Sequence, residues 1–207
     1  MANSLVVLDF ETTGLSPQQG DRAIEIGAVK LVNGEVVDSF QALMNPGRKV
    51  SGFIEDYTGI SNEMLASAKP NAEVMEEFCD FISGNNLLAH NASFDQKFLD
   101  AELAKIGRSY QGQFVCSLLT SRRIYQDAPN HKLGTLIRYK GIIGDGSFHR
   151  ALYDAQMTAK LWQVMLLDIE AQLGEALSSS YQGVPFSLIQ KIANTPKAKV
   201  AKLLASY

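Results

Sequence analysis

Leu5-Val6-Val7-Leu8-Asp9-Phe10-Glu11-Thr12-Thr13-Gly14 runs four apolar residues straight into two carboxylates spaced two apart. The apolar run reads as a buried strand, and along a strand residues i and i+2 share a face while the residue between them points away. Asp9 and Glu11 therefore aim together, and Phe10 is directed into the core. Adjacent carboxylates at a strand end repel each other unless they share a proton or a cation. A divalent metal is the leading explanation for the pair.

Moving outward, Ala23 to Val32 has the β-branched and apolar content of a long strand, and Asn33-Gly34 is a strong two-residue hairpin signal. Glu35 to Met44 then returns antiparallel until Asn45-Pro46-Gly47 stops it. Asn71 to Ser83 carries Val74, Met75, Phe78, Phe81 and Ile82 at helical spacing, with Asn71 as candidate N-cap and Gly84 past the end. Asn86 to His90 is a short buried-strand candidate, followed by a helix from about Phe94 to Ile106 with Ser93 as its N-cap. Phe114-Val115-Cys116 predicts another strand, Leu118 to Tyr125 another helix, and Ala151 to Gln172 a long helix with much of its surface buried. Antiparallel strands first and strand–helix alternation afterwards predict an α/β fold with a mixed sheet. Ser178-Ser179-Ser180-Tyr181-Gln182-Gly183 reads as a linker. Pro185 to Tyr207 reads as one or two basic helices, packed on their own domain or docking another chain.

At 207 residues with 46% hydrophobic content, the chain can build one substantial core, which argues against disorder. No run approaches membrane-spanning length and the start lacks a basic region followed by an apolar stretch, so a soluble cytoplasmic protein is expected. Cys79 and Cys116 form no metal-like or redox-like spacing and are expected as buried thiols. A net charge of −3 does not suggest a protein that coats nucleic acid through a broad basic surface, and it leaves room for a local grip on a few phosphates. Arg122, Arg123, Lys132, Arg138, Lys140 and Arg150 are candidates for that grip, with a solvated face as the equal alternative.

Two further segments carry chemistry. Asp95 falls in the first turn of a helix, where the partial positive charge favours an acid, and alone it reads as a helix-start residue. His149 and Asp154 are five residues apart, more than one helical turn, so both can face one cleft only if His149 lies in the loop before the long helix. The ordered set is more specific than any member: Asp9 with Glu11, then Asp95 within His90-Asn91-Ala92-Ser93-Phe94-Asp95, then His149 with Asp154. That set, over roughly residues 5 to 170, resembles the DEDDh branch of 3′–5′ exonucleases, which includes proofreading subunits of bacterial DNA polymerase III, ribonuclease T and oligoribonuclease. Ile24-Glu25-Ile26-Gly27-Ala28-Val29 and Tyr57-Thr58-Gly59-Ile60 also look like segments of that family.

The resemblance implies a ribonuclease-H-like mixed sheet flanked by helices, with an exonuclease domain over 1–175 and a linker plus basic helical segment over 176–207. It implies two divalent cations, Mg²⁺ or Mn²⁺, held by Asp9, Glu11, Asp95 and Asp154, and hydrolysis of terminal phosphodiester bonds to release nucleoside 5′-monophosphates. His149 is implied as general base, a role suited to imidazole near neutral pH. The implied partner is a single-stranded 3′ end of DNA or RNA, received by Thr12, Thr13 and Leu15 and more weakly by Asn91. Phe53 and Phe148 are candidates to stack on bases, with ordinary packing as the alternative. Thr58 stands where related proofreading domains often carry a histidine. Two other readings are weighed: a catalytically silent assembly subunit with the same fold, and a haloacid-dehalogenase-like phosphatase with Asp9 as nucleophile. Glu11, where those phosphatases normally carry an aspartate, and the His149/Asp154 motif favour the exonuclease.

Overall fold

The computed structural model describes residues 4–144, 146, 149–173 and 183–207. Six strands form one sheet: β1 (Ser4–Thr12), β2 (Ala23–Val32), β3 (Glu35–Asn45), β4 (Lys69–Pro70), β5 (Asn86–Ala89) and β6 (Phe114–Cys116). The helices are α1 (Gly52–Thr58), α2 (Asn62–Ala66), α3 (Asn71–Ile82), α4 (Ala92–Lys105), α5 (Ser117–Ile124), α6 (Leu133–Tyr139), α7 (Ala151–Leu173), α8 (Phe186–Asn194) and α9 (Val200–Ala205). Strand order is β4-β3-β2-β1-β5-β6, with β1, β2 and β3 antiparallel in succession and β5 and β6 parallel to β1. At the β2–β3 turn Asn33 and Gly34 both take positive φ, 53° and 85°, as a tight two-residue hairpin requires.

The alternation of β1 divides the core. Val6, Leu8 and Phe10 pack with Val74, Met75 and Phe78 of α3 and Phe98 and Leu99 of α4 on one face. Val7 turns to the other face, where Val29, Leu88 and Val115 meet Leu161, Trp162 and Met165 of α7. Leu188, Ile189 and Ile192 of α8 and Val200 and Leu204 of α9 join that second cluster. Each such fully buried aliphatic or aromatic side chain contributes about 1.5–3 kcal/mol, and the central strand is thereby fixed from both sides.

Several boundaries differ from expectation for local reasons. Pro70, not Asn71, occupies the N-cap position of α3; Asn71 sits inside the first turn and its side-chain amide donates to the Ala23 carbonyl at 2.9 Å, tying the helix to β2. The N-cap position of α4 belongs to Asn91 rather than Ser93, because Asn91 adopts the left-handed conformation (φ 73°) tolerated by a short polar side chain and starts the helix two residues early. Helices α1, α2 and α6 are additions; Ser51 and Ser61 cap the first two by accepting from the Ile54 and Met64 amides. Cys79 is buried and Cys116 partly so, both as free thiols. Phe148 and residues 178–182 of the expected linker lie outside the described residues. No helix among the described residues is long and apolar enough to cross a membrane.

Candidate active site

Asp9 and Glu11 leave β1 on the face covered by α7, and the strand pairing explains how the other groups reach them. The parallel ladder between β1 and β5 ends at Val7 and Leu88, so the Phe10 amide has no partner from β5. Asp95, in the first turn of α4, supplies one: its Oδ1 accepts from the Phe10 N–H at 3.1 Å. On the other side of β1, Gly27 lies opposite Asp9. A Cβ on Gly27 would fall 2.0–2.3 Å from backbone atoms of Ala151 and Leu152, so only glycine lets the first turn of α7 rest directly on β2. That contact delivers Asp154 to Glu11.

His149 stands just before α7 with φ 71°, a left-handed conformation uncommon outside glycine, and its backbone N–H donates to Asp154 Oδ2 at 2.9 Å. Asp154 Oδ1 is buried without a hydrogen-bond partner. Glu11, His149 and Asp154 can each present a ligand atom within 4.8 Å of the others. A buried carboxylate oxygen with nothing to accept from, beside three further acids and an imidazole, is a donor set of the kind a hard divalent cation requires. The residues fit such an ion.

The electrostatics agree. Burial, then the charges of Asp95, Asp154 and Glu11, hold the Asp9 carboxyl well above the usual carboxylate range. Burial and then Asp154 and Glu25 push Glu11 up to about 8, and Asp95 rises to about 8, chiefly through burial. Asp154 rises to about 6, again chiefly through burial, with the His149 amide pulling the other way. Among the described residues Arg150 is the cation that lowers Glu11. Four carboxyls that resist ionisation together are a site in deficit of positive charge.

Two residues shape this site without having been singled out as functional from the sequence, Glu25 and Tyr57, and Arg150, a candidate for phosphate contact, is instead engaged by Glu25. Glu25, opposite Glu11 on the neighbouring strand, is 0% exposed; it accepts from Arg150 Nη2 at 2.8 Å and Nε at 3.2 Å, from the Ala151 N–H at 3.0 Å and from Gln41 at 2.9 Å. The signal for Glu25 was available as an acid amid the apolar run of β2. Tyr57, at the end of α1, lays its ring 4.1 Å from that of His149, and Phe53, 72% exposed, stacks on Tyr57 at 5.8 Å and 12°. Nothing in the local sequence points Tyr57 at His149, because the contact depends on where α1 lies.

The expected chain-end residues are placed unequally. The Thr12 hydroxyl donates to the Gly14 carbonyl at 2.6 Å. The Thr13 hydroxyl donates to Asp21 and accepts from the Arg22 amide and the Arg48 guanidinium, so it is fully engaged in holding its loop. Leu15 is 76% exposed, with its carbonyl held by Lys97 at 2.5 Å. Asn91 is exposed at the start of α4. Thr58 is buried, closing α1 through the Ile54 carbonyl and Ile60 amide rather than facing the cleft. His90 bridges Ser117 and the His131 carbonyl, and burial lowers its imidazole to about 4, a neutral structural histidine. Of the basic residues, Arg123 binds the Thr195 and Leu119 carbonyls and Lys140 pairs with Asp168.

Comparison with known proteins gives a consistent set of matches. The RNase T exonuclease family matches residues 6–162. The chain is 40% identical over 166 residues to the DNA polymerase III PolC-type of Caldanaerobacter subterraneus, covering 80% of this chain and 12% of that protein. It is likewise 40% identical over 165 residues to the PolC-type polymerase of Bacillus subtilis, covering 79% of this chain and 11% of the relative. The chain thus spans about an eighth of the length of the curated relatives it matches. Among solved structures, the nuclease domain of 3′hExo, a DEDDh family member bound to rAMP, superposes with a TM-score of 0.70 at 23% identity, over 81% of this chain and 93% of that one. Exonuclease X in complex with 5′-overhanging duplex DNA gives 0.63 at 22% identity, over 97% and 99%. The mixed sheet flanked by helices is the ribonuclease-H-like architecture of those neighbours.

Proposed function

Because the chain belongs to the RNase T exonuclease family, whose match spans residues 6–162, we propose that it is a DEDDh 3′–5′ exonuclease removing nucleoside 5′-monophosphates one at a time from a free 3′ end. The observation that carries this reading is the convergence of Glu11, His149 and Asp154 beside Asp9 and Asp95, with Asp154 Oδ1 left unpartnered. Asp9, Glu11, Asp95 and Asp154 would hold two divalent cations, Mg²⁺ or Mn²⁺, which when bound supply Lewis-acid stabilisation of phosphoryl charge and an activated water. His149 takes the proton of the attacking water as the phosphodiester bond to the terminal nucleotide breaks, and the leaving 3′-oxygen is protonated on the shortened strand. The ring of Tyr57 limits where that imidazole can swing. Exposed Leu15 and Phe53 offer apolar and aromatic surface to the splayed terminal bases.

A DNA 3′ end is the favoured substrate, supported by the 40% identity to PolC-type DNA polymerases, and a cytoplasmic location goes with it. RNA is the second reading, favoured by solved neighbours that include a histone mRNA stem-loop complex. Family membership removes the phosphatase reading, and a silent assembly subunit would have no reason to keep these five side chains together. The test uses matched 5′-labelled single-stranded DNA, duplex DNA and RNA, with free and blocked 3′ ends, under Mg²⁺, Mn²⁺ and chelator. Metal-dependent laddering from free 3′ ends, fastest on DNA, is expected. Equal cleavage of blocked ends would overturn the exonuclease, and faster RNA laddering would reassign the substrate.

A further inference from the structure

Among the described residues, Glu25 is the one fully buried acid at this site whose charge is already answered. It lies directly opposite Glu11 on the adjacent antiparallel strand, so the two carboxylates leave the sheet on the same face. Both its oxygens are occupied: Oε1 accepts from Arg150 and Gln41, and Oε2 from Arg150 and the Ala151 N–H. That leaves it no free lone pair aimed at the cleft. The partners matter more than the pairing itself. Arg150 is the residue after His149, and Ala151 opens α7 three residues before Asp154.

We propose that Glu25 is a positioning residue: by gripping Arg150 and the first amide of α7 together, it fixes the turn from which His149 and Asp154 project into the site. The inference rests on the exonuclease reading for its kinetic consequence, and on geometry for the rest. Three constraints meet in this short turn. Glu25 holds the segment from the sheet side, Gly27 lets α7 touch β2, and the His149 amide is tied to Asp154 while its backbone takes φ 71°. A left-handed histidine persists only where its surroundings over-determine it. Without the Glu25 anchor the segment can relax towards an ordinary φ, which swings the imidazole off Tyr57 and away from the water it deprotonates. A misplacement of about 1 Å in a reacting group lowers rate on the order of a hundredfold.

The variant Glu25→Gln keeps the shape and a carbonyl for the Ala151 amide but loses the charge and one acceptor. Arg150 is 40% exposed at its side chain and can be hydrated, so the variant is expected to fold. The first readout needs no activity. The chain has three histidines, and the imidazole Cε1–H resonance of His149, assigned by its absence in His149→Ala, is expected to carry a ring-current shift from Tyr57. In Glu25→Gln that resonance moves towards its random-coil position while those of His90 and His131 stay. Kinetically, kcat falls about a hundredfold with KM within about threefold, as expected for a displaced reacting group. Arg150→Ala behaves alike and is partly rescued by added methylguanidinium, whereas rescue is absent in the Glu25→Gln/Arg150→Ala double variant. An unmoved His149 resonance with wild-type kcat overturns the proposal. An inactive wild type with the predicted resonance shifts would instead count against the exonuclease reading and leave the positioning role standing.

Discussion

Glu102 and Glu25 are buried in the same manner, and the acids beside Glu25 are not. Glu102, 1% exposed on α4, accepts from Nε and Nη2 of Arg22 at 2.7 and 2.8 Å and from the N–H of the next residue, Ala23. Glu25 repeats the arrangement with Arg150 and Ala151. In both, a guanidinium fork neutralises the carboxylate and the following amide completes it, which is how a buried charge is ordinarily made tolerable. Beside Glu25, Asp9 and Glu11 of β1, Asp95 of α4 and Asp154 of α7 have no arginine fork among the described residues, and their pKa values rise together. The chain compensates buried acids where they hold structure and leaves them uncompensated at the proposed metal site.

The largest effect that would test this contrast is chemical. His149→Ala is expected to lower kcat on the order of a thousandfold or more, within the range a general base contributes, without disturbing the fold. Wild-type turnover in the folded variant, measured on a 3′-labelled strand, would sink the assignment.

The next effect is the pH dependence of stability. Folded-state pKa values of about 8 for Glu11 and Asp95 and about 6 for Asp154 lie above those of the unfolded chain, so the folded state binds more protons between about pH 4 and pH 8. The associated stability is present at low pH and lost as pH rises through that window, of order 3 kcal/mol for one such group. Metal-free protein should therefore melt at lower temperature at pH 8.5 than at pH 5. Saturating Mg²⁺ or Mn²⁺ favours the ionised carboxylates and should flatten or reverse the slope. Parallel melting curves with and without metal would break the contrast between the two kinds of buried acid.

On the compensated side, Glu102→Gln should act on stability alone. Losing the charge under the Arg22 fork is expected to destabilise by about 2 kcal/mol, less than a fully buried pair because Arg22 is partly hydrated. Urea unfolding reads the loss, and turnover per folded molecule should not change. A matching fall in kcat would mean that the Arg22 fork also serves the site.

How much of this was readable in advance follows the range of each interaction. β2, the Asn33-Gly34 hairpin, β6 and nearly all of α7 are set by local periodicity and turn chemistry, and they stand where the sequence predicts them within a residue or two. The direction of Asp9 and Glu11 against Phe10 follows from strand alternation, and Phe10 does enter the α3/α4 core. Boundaries failed where a long-range bond outcompeted a local cap: Asn71 was spent on the Ala23 carbonyl. At the site, motif order brought Asp95, His149 and Asp154 into consideration, but not what orients them. Glu25 looked like part of a strand because its partner lies 125 residues away, and Thr13 looked available because its bonds to Asp21 and Arg48 appear only once the loop closes.

The smallest effect probes the boundary between the two regimes. Tyr57 is neutral, yet its hydroxyl is held above its ordinary pKa by burial and then by Glu11, Asp154 and Asp9, which places the phenol within the field of the uncompensated acids. Its ring meets His149 at a 39° tilt, and an aromatic contact of this kind contributes about 0.5–1.5 kcal/mol beyond burial. If that energy orients the imidazole, Tyr57→Leu lowers kcat by roughly three- to tenfold with KM little changed, and Tyr57→Phe, which keeps the ring, restores turnover. Phe53 is one stacking step further out and touches Tyr57 rather than His149. Its replacement by leucine should therefore raise KM for strands of several nucleotides and leave kcat alone, if it meets bases. A Tyr57→Leu variant altered only in KM would move Tyr57 from the catalytic base to the substrate path, and the His149 turn would then be held from the Glu25 side alone.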